Sequence, residues 1–238
     1  GGAGQDIVLW NLAEHSQMAT NGTDGYYASD AVWSPDGAHY VVVSRGSSRI
    51  YIYNADGTLA RQSRVGGIPL VSVAHTARYM AVASEFGATY IYDYTPQGAY
   101  LFRREMRYDH DVPALDTEFS PDGSLLATCY LDGVINIWQT DGWELACSFE
   151  AHEYVEDRVD GCLDGAFSRR GDVYFSVGGD GQVLGWDPYT GERLFGVTYS
   201  VPVRVVSVSA DGELVAVGLQ DGTVRIFAPD EPVSPARR

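Results

Sequence analysis

The apolar positions of this chain come in short runs, each closed by Gly, Asp or Pro, and none sustains a helical period. Leu115–Phe119, Leu125–Cys129 and Val134–Trp138 are typical: rich in β-branched and aromatic side chains and too short for helices. A further run follows several of the closing aromatics, as in Trp143–Phe149 and Glu192–Val197. The predicted elements are strands throughout. Many of these runs are apolar at consecutive positions instead of alternate ones, the pattern of strands covered on both faces.

The runs recur as a unit. Trp33-Ser34-Pro35-Asp36-Gly37 returns as Phe119-Ser120-Pro121-Asp122-Gly123, 86 residues later and in the same apolar setting. Aligning the two brings further copies into register, and their closing aromatics are Trp10, Tyr53, Tyr92, Trp138, Trp186 and Phe227. Successive spacings are 43, 39, 46, 48 and 41 residues. A period near 40–45 with several short strands per unit predicts a β-propeller. Within the recurring turn, Pro pre-sets φ at the first central position, and Gly accepts the positive φ that lets the hairpin twist. A second turn, Leu131-Asp132-Gly133, repeats as Gly179-Asp180-Gly181 and Gln220-Asp221-Gly222. A single four-stranded sheet of this size cannot cover both of its faces, so the sheets must pack on one another.

The expected fold is all-β: a propeller of four-stranded antiparallel blades, five nearly complete and one partial at the N-terminus. The partial blade spans 1–21, and the others span roughly 28–64, 69–104, 114–149, 162–197 and 203–227. Together they form one propeller domain over 1–230, with a tail at 231–238. The count does not close, because no fourth strand follows Phe227 while residues 6–20 supply a third and a fourth strand only. An open strand edge invites association. The chain is therefore expected to belong to a larger ring of about seven blades, closed by upstream sequence or by another chain.

These repeats resemble the WD-repeat β-propeller family over almost the whole chain. The family's closing apolar-x-aromatic followed by Asp stands complete at Trp186-Asp187. It stands with substitutions at Trp10-Asn11, Tyr53-Asn54, Tyr92-Asp93 and Trp138-Gln139. The resemblance implies a blade-locking network of His, Ser or Thr, Asp and Trp. Two sets match: His110, Thr128, Asp132 and Trp138, and His152, Ser176, Asp180 and Trp186. His152 precedes Phe167 by fifteen residues, whereas His110 precedes Phe119 by nine, so an insertion separates the two patterns. A His–Ser–Asp set could also read as a hydrolase triad; its occurrence at the repeat period favours a structural network. Asp30, Asp116 and Asp164 each stand three residues before the aromatic that opens a turn. That shared offset predicts a hydrogen bond to the backbone of a neighbouring blade.

Net charge narrows the partners. The chain has 32 acids against 16 bases, all Arg, for a net charge of −16. That argues against a nucleic-acid backbone or an anionic membrane as the main partner. No apolar run approaches a membrane span, and the N-terminus lacks the layout of a signal peptide. With no Lys there is no GxxxxGK phosphate loop. Cys129, Cys147 and Cys162 are odd in number and form no CxxC pair, so buried reduced thiols in a cytoplasmic protein are expected, without disulfide, metal or other cofactor. Two acidic segments, one around residues 105–111 and one over 150–164, fall where loops of one face are expected. The candidate partner-binding residues are Tyr108, Asp109, Asp111, Glu153, Tyr154, Glu156 and Asp157. The resemblance implies a non-enzymatic scaffold that binds a basic or neutral peptide or protein. The alternatives are a ligand-sensing module of a larger signalling protein and a propeller hydrolase with a metal or carboxylate site in its channel.

Overall fold

The computed structural model describes residues 6–65, 69–95, 98–107, 112–154 and 161–228. Every helix or strand among them is a strand, so no helix is long and apolar enough to cross a membrane. The chain divides into two compact units, Gly1–Ala114 and Leu115–Arg238.

The first unit opens with a two-stranded hairpin, β1 (Asp6–Asn11) and β2 (Ser16–Gly22). A four-stranded sheet follows: β3 (Ala28–Trp33), β4 (His39–Ser44), β5 (Arg49–Asn54) and β6 (Leu59–Arg64). The next contains β7 (Leu70–His75), β8 (Tyr79–Ser84), β9 (Ala88–Tyr94) and β10 (Tyr100–Arg107). In the second unit, β11 (Ala114–Phe119), β12 (Leu125–Tyr130), β13 (Val134–Gln139) and β14 (Glu144–Glu150) form one sheet. β15 (Cys162–Phe167), β16 (Tyr174–Gly178), β17 (Gln182–Trp186) and β18 (Arg193–Thr198) form another. The last sheet has three strands, β19 (Val203–Val208), β20 (Val215–Leu219) and β21 (Val224–Phe227). All neighbours are consecutive in sequence, as in a meander.

The cores lie between sheets. Val41, Val43, Ile50 and Ile52 of one blade pack with Val73, Met80 and Val82 of the next. Ile135 and Ile137 meet Cys162, Tyr174 and Leu184, and Phe175, Val177 and Val183 meet Val206, Val215 and Val217. β4, β8, β12 and β16 are buried along nearly their whole length, which is why their sequences do not alternate, whereas β20 alternates between buried and partly exposed positions.

The recurring Ser-Pro-Asp-Gly turn is held by its serine as much as by its glycine. Ser34 Oγ donates to Asp36 Oδ1 at 2.6 Å and accepts from the His39 N–H at 3.0 Å, while Gly37 adopts φ 67°. Ser120, Asp122, Gly123 and Leu125 repeat the arrangement, and Ser209, Asp211 and Leu214 repeat the hydroxyl bonds. The Ser34 hydroxyl, with the Ala38 N–H, draws the exposed Asp36 carboxyl down to about 2.

Asp30, Asp116 and Asp164 make the expected reach to the next blade. Asp30 Oδ2 accepts from the Val73 N–H at 2.9 Å and from the Ser72 hydroxyl at 3.0 Å. Asp116 Oδ2 accepts from the Gly165 N–H at 3.1 Å, and Asp164 Oδ2 from the Val206 N–H at 2.8 Å. The receiving strands share a device: β7, β15 and β19 each carry a bulge just before the receiving pair, at Leu70/Ser72, Cys162/Asp164 and Val203/Val205. A bulge interrupts the regular ladder and re-aims the backbone locally.

This seam has a pH signature. Burial pushes Asp164 well above the usual carboxylate range, and the nearby charges of Asp116 and Glu118 add to it; the fully buried Tyr174 hydroxyl faces the same three carboxyls. Because its folded-state pKa lies above the unfolded one, its contribution to stability is fully present below the unfolded value. That contribution is lost as pH rises through the folded value. Going from neutral to mildly acidic buffer should therefore strengthen the seam, until Asp122, Asp180 and Asp211, whose pKa values are depressed, begin to protonate. Asp164→Asn should flatten the neutral-side slope of unfolding free energy against pH, read from urea melts in a buffer series. An unchanged slope would assign the effect to another group.

The cysteines correct the expectation of reduced thiols. Cys129, near the end of β12, and Cys162, the first residue of β15, form a disulfide between adjacent blades, with Cα atoms 5.3 Å apart and a separation of 33 positions in sequence. Both side chains are fully buried. The pairing joins strand ends that meet only once the blades stack, a relation that CxxC spacing does not record. Cys147 is free; burial raises its thiol to about 11, and it lies 3.4 Å from the Pro188 carbonyl.

Candidate functional site

Of the two matching sets, the structure brings together all four members of the second. Trp186 sits at the end of β17, Ser176 in the middle of β16, Asp180 in the turn between them, and His152 just after β14. Trp186 Nε1 donates to Ser176 Oγ at 2.9 Å, His152 Nε2 lies 2.8 Å from the same oxygen, and His152 Nδ1 lies 3.1 Å from Asp180 Oδ1. Donor logic sets the protons. An indole can only donate, so the serine proton points to His152 Nε2 and the imidazole carries its own proton on Nδ1, toward Asp180. Asp180 also accepts from the Gln182 N–H and side-chain amide and from the Glu153 N–H. Burial alone would raise the Asp180 carboxyl; the bonds from His152 and Gln182 outweigh it and hold the group below its ordinary value.

The longer spacing before Phe167 is no obstacle, because His152 is anchored from its own side. Its N–H and that of Ala151 both donate to the Gly133 carbonyl, at 3.2 and 2.9 Å. Gly133 has φ 88°, and a Cβ there would lie 1.8 Å from the His152 carbonyl oxygen, so only glycine fits.

In distances this is also a Ser–His–Asp relay. The difference is access: Ser176 is fully buried and its oxygen already accepts the indole N–H, so no reacting carbon can reach it. The bonds tie the segment after β14 to β16, to β17 and to the turn between them. Among the described residues, no group of three or more His, Cys, Asp or Glu is placed to hold a metal ion.

The first set is placed in part. Thr128 is buried opposite Asn136, and Asp132 accepts from the Val134 N–H at 3.1 Å. Thr128 Oγ1 and Trp138 Nε1 find no hydrogen-bond partner among the described residues. His110 lies outside the described residues, as do Tyr108, Asp109, Asp111, Glu156 and Asp157. Glu153 and Tyr154 are placed directly after His152, both exposed.

Register explains why the other blades lack the network. Counting from the residues paired with each closing aromatic, the position of Ser176 and Thr128 is held by Val42, Val82 and Val217, all buried. A valine there has nothing to offer an indole, and these blades close on Tyr53, Tyr92 and Phe227. One partly buried histidine was not foreseen. His75 lies 2.9 Å from the Tyr100 hydroxyl and 2.6 Å from the Thr76 carbonyl, and burial lowers its pKa to about 4.

Stacked four-stranded meanders with this network and these closing aromatics mark a WD-repeat, propeller-type chain. The model of the WD domain, G-beta repeat, matches residues 196–227, and that of a family of unknown function (DUF5711) matches residues 23–136. Among characterised proteins, the chain is 30% identical to the Protein LST8 homolog of Drosophila melanogaster over 120 residues, covering 45% of this chain and 38% of that protein. It is 31% identical over 111 residues to the human Angio-associated migratory cell protein, covering 46% of this chain and 23% of the relative. Over 123 residues it is 24% identical to Eukaryotic translation initiation factor 3 subunit I of Schizosaccharomyces pombe, covering 50% of this chain and 36% of the relative. The matched stretches thus span well under half the length of these relatives.

Proposed function

We propose that the chain is a non-catalytic protein-interaction module that binds a basic or neutral segment of a partner protein through the acidic loop beginning at Glu153. One observation carries this reading: a fixed base holds an exposed tip. His152 is buried and bonded through both ring nitrogens, the Glu153 N–H is held by Asp180, and Tyr154, one residue on, is 47% exposed. An aromatic ring presented from an anchored backbone loses little conformational freedom on binding, and tyrosine is a frequent centre of interface energy. Glu153 beside it, in a chain of net charge −16, favours a cationic partner. Glu156 and Asp157 follow in the same segment of the sequence, and Tyr108, Asp109 and Asp111 are separate candidates from the sequence alone. One relative is by name a subunit of an initiation factor, which fits a chain that works within an assembly.

The test is calorimetric titration of Arg- and Lys-rich peptides and of acidic control peptides into the full chain and into Glu153→Gln/Tyr154→Ala. Basic peptides should bind the parent, weaken with salt, and lose about tenfold or more in affinity to the double variant. Binding retained in full by the variant, or absent for every basic peptide, would overturn the reading.

A further inference from the structure

The bases are not spread evenly over this acidic chain. Gly1–Ala114 holds eight Arg against eleven acids, a net charge of −3, whereas Leu115–Arg238 holds eight against twenty-one, a net of −13. Within the first unit, β6 carries Arg61 and Arg64 and no acid, and every side chain of the strand except Ser63 is exposed. The arginines of β10, the outer strand of the next blade, find acids on their own sheet: Arg103 pairs with Asp93, and Arg107 with Glu105. Those of β6 do not. Arg61 stands opposite Ile52, and Arg64 stands opposite Arg49, which is already paired with Asp24. Neither Arg61 nor Arg64 has an ion pair or side-chain hydrogen bond with a described residue. Like charges facing each other across a ladder cost stability, so Arg64 is kept against its local electrostatics.

The backbone of β6 is open as well. It bonds to β5, and among the described residues no strand lies on its far edge. The Val65 N–H donates to the Ser48 carbonyl at 2.9 Å, so antiparallel alternation turns the backbone groups of Ser63 and Arg61 toward β5. The N–H and C=O groups of Gln62 and Arg64 then point outward. Residues three apart in a strand lie on opposite faces, so Arg61 shares a face with Ile52 and Arg64 the other with Arg49. Charge of either sign would keep such an edge from pairing at random. In a chain with twice as many acids as bases, both charges here are positive.

We propose that the β6 edge is a docking site for an acidic, extended segment of a partner protein, which joins this sheet as an antiparallel fifth strand. The outward groups of Gln62 and Arg64 supply the main-chain bonds, and the arginines select the charge. Register then fixes the recognised pattern. One acid lies opposite Arg64, the next two residues lie opposite Ser63 and Gln62, and a second acid lies opposite Arg61. The pattern is acid–x–x–acid, with β-branched residues at x. Its two acids fall on opposite faces of the added strand, one for each arginine. This edge lies in the other unit from the loop at Glu153 and selects the opposite charge.

The probe is a synthetic peptide, Thr-Val-Glu-Thr-Val-Glu-Thr-Val, with companions carrying Gln or Lys in place of both Glu. Affinity for the full chain is read by fluorescence anisotropy, and the site by backbone amide exchange in NMR. The Glu peptide should slow exchange of the Gln62 and Arg64 amides by about tenfold or more and should weaken with salt. The Gln and Lys peptides should bind the parent at least about tenfold more weakly. Arg61→Glu/Arg64→Glu should reverse that order and favour the Lys peptide. Gln62→Pro removes an outward N–H and no bond to β5. It should leave the melting temperature within a few degrees while weakening the Glu peptide by about tenfold, with both arginines still in place. Glu153→Gln/Tyr154→Ala should leave the affinity for the Glu peptide unchanged. Four results would overturn the proposal: no protection of the two amides by the Glu peptide, equal binding of the Glu and Lys peptides, protection already present in the free chain or growing with its concentration alone (an edge covered by its own residues or by a second copy), or tighter binding of a single-stranded oligonucleotide of the same charge.

Discussion

Replacing both Cys129 and Cys162 by alanine is expected to lower the stability of the second unit by about 3–4 kcal/mol. The estimate rests on loop entropy: tying residues 33 apart restricts the unfolded chain by about that amount at room temperature. Both side chains are fully buried, so the lost sulfur packing adds to the effect. The decisive comparison is thermal melting with and without a thiol reductant. The parent should lose stability on reduction and approach the double variant, which should not respond. If the parent melts identically in both buffers, and its denatured form shows three reactive thiols without reductant, the disulfide does not form.

The second large effect is at His152. Its replacement by alanine removes the bonds to Ser176 and Asp180 and leaves a buried hydroxyl and a largely buried carboxylate short of partners. Orphaned groups of this kind cost about 1–3 kcal/mol each, so a loss of about 2–4 kcal/mol is expected, or about 10 °C in melting temperature. Asp187→Ala is the comparison: its carboxylate only caps the Tyr189 and Thr190 N–H groups at the surface, and its loss should cost about 1 kcal/mol or less. Similar, negligible shifts for both variants would remove the network as a blade lock.

The strands and their grouping into sheets were legible because each closing aromatic and each glycine turn marks a fixed place in the repeat. The network at His152 was legible as residue types, and Asp30, Asp116 and Asp164 as a shared offset. What stayed hidden was whatever depends on the partner strand. The donors to those aspartates are backbone N–H groups of Val73, Gly165 and Val206, which no residue type announces. The Cys129–Cys162 pairing spans two blades, and His75 finds the Tyr100 hydroxyl from a stretch, Ala74 to Arg78, that reads as a degraded turn. Glu153 and Tyr154 stand out in the sequence by the acidic charge of their segment and the contact area of the ring; the anchoring of Glu153 through Asp180 is visible only in the structure.

The inter-blade aspartates have a direction. Each blade that holds one supplies the carboxylate, and its successor supplies a peptide N–H, a group every residue except proline possesses, joined at Asp30 by the Ser72 hydroxyl. A newly appended copy can therefore be accepted by the one before it without bringing any matching side chain. The obligation to conserve falls on the donor of the carboxylate and leaves the recipient free to drift. In this chain the recipients are a valine, a glycine and another valine, and duplicated units under such one-sided demands can diverge until little but their turns betrays a common origin.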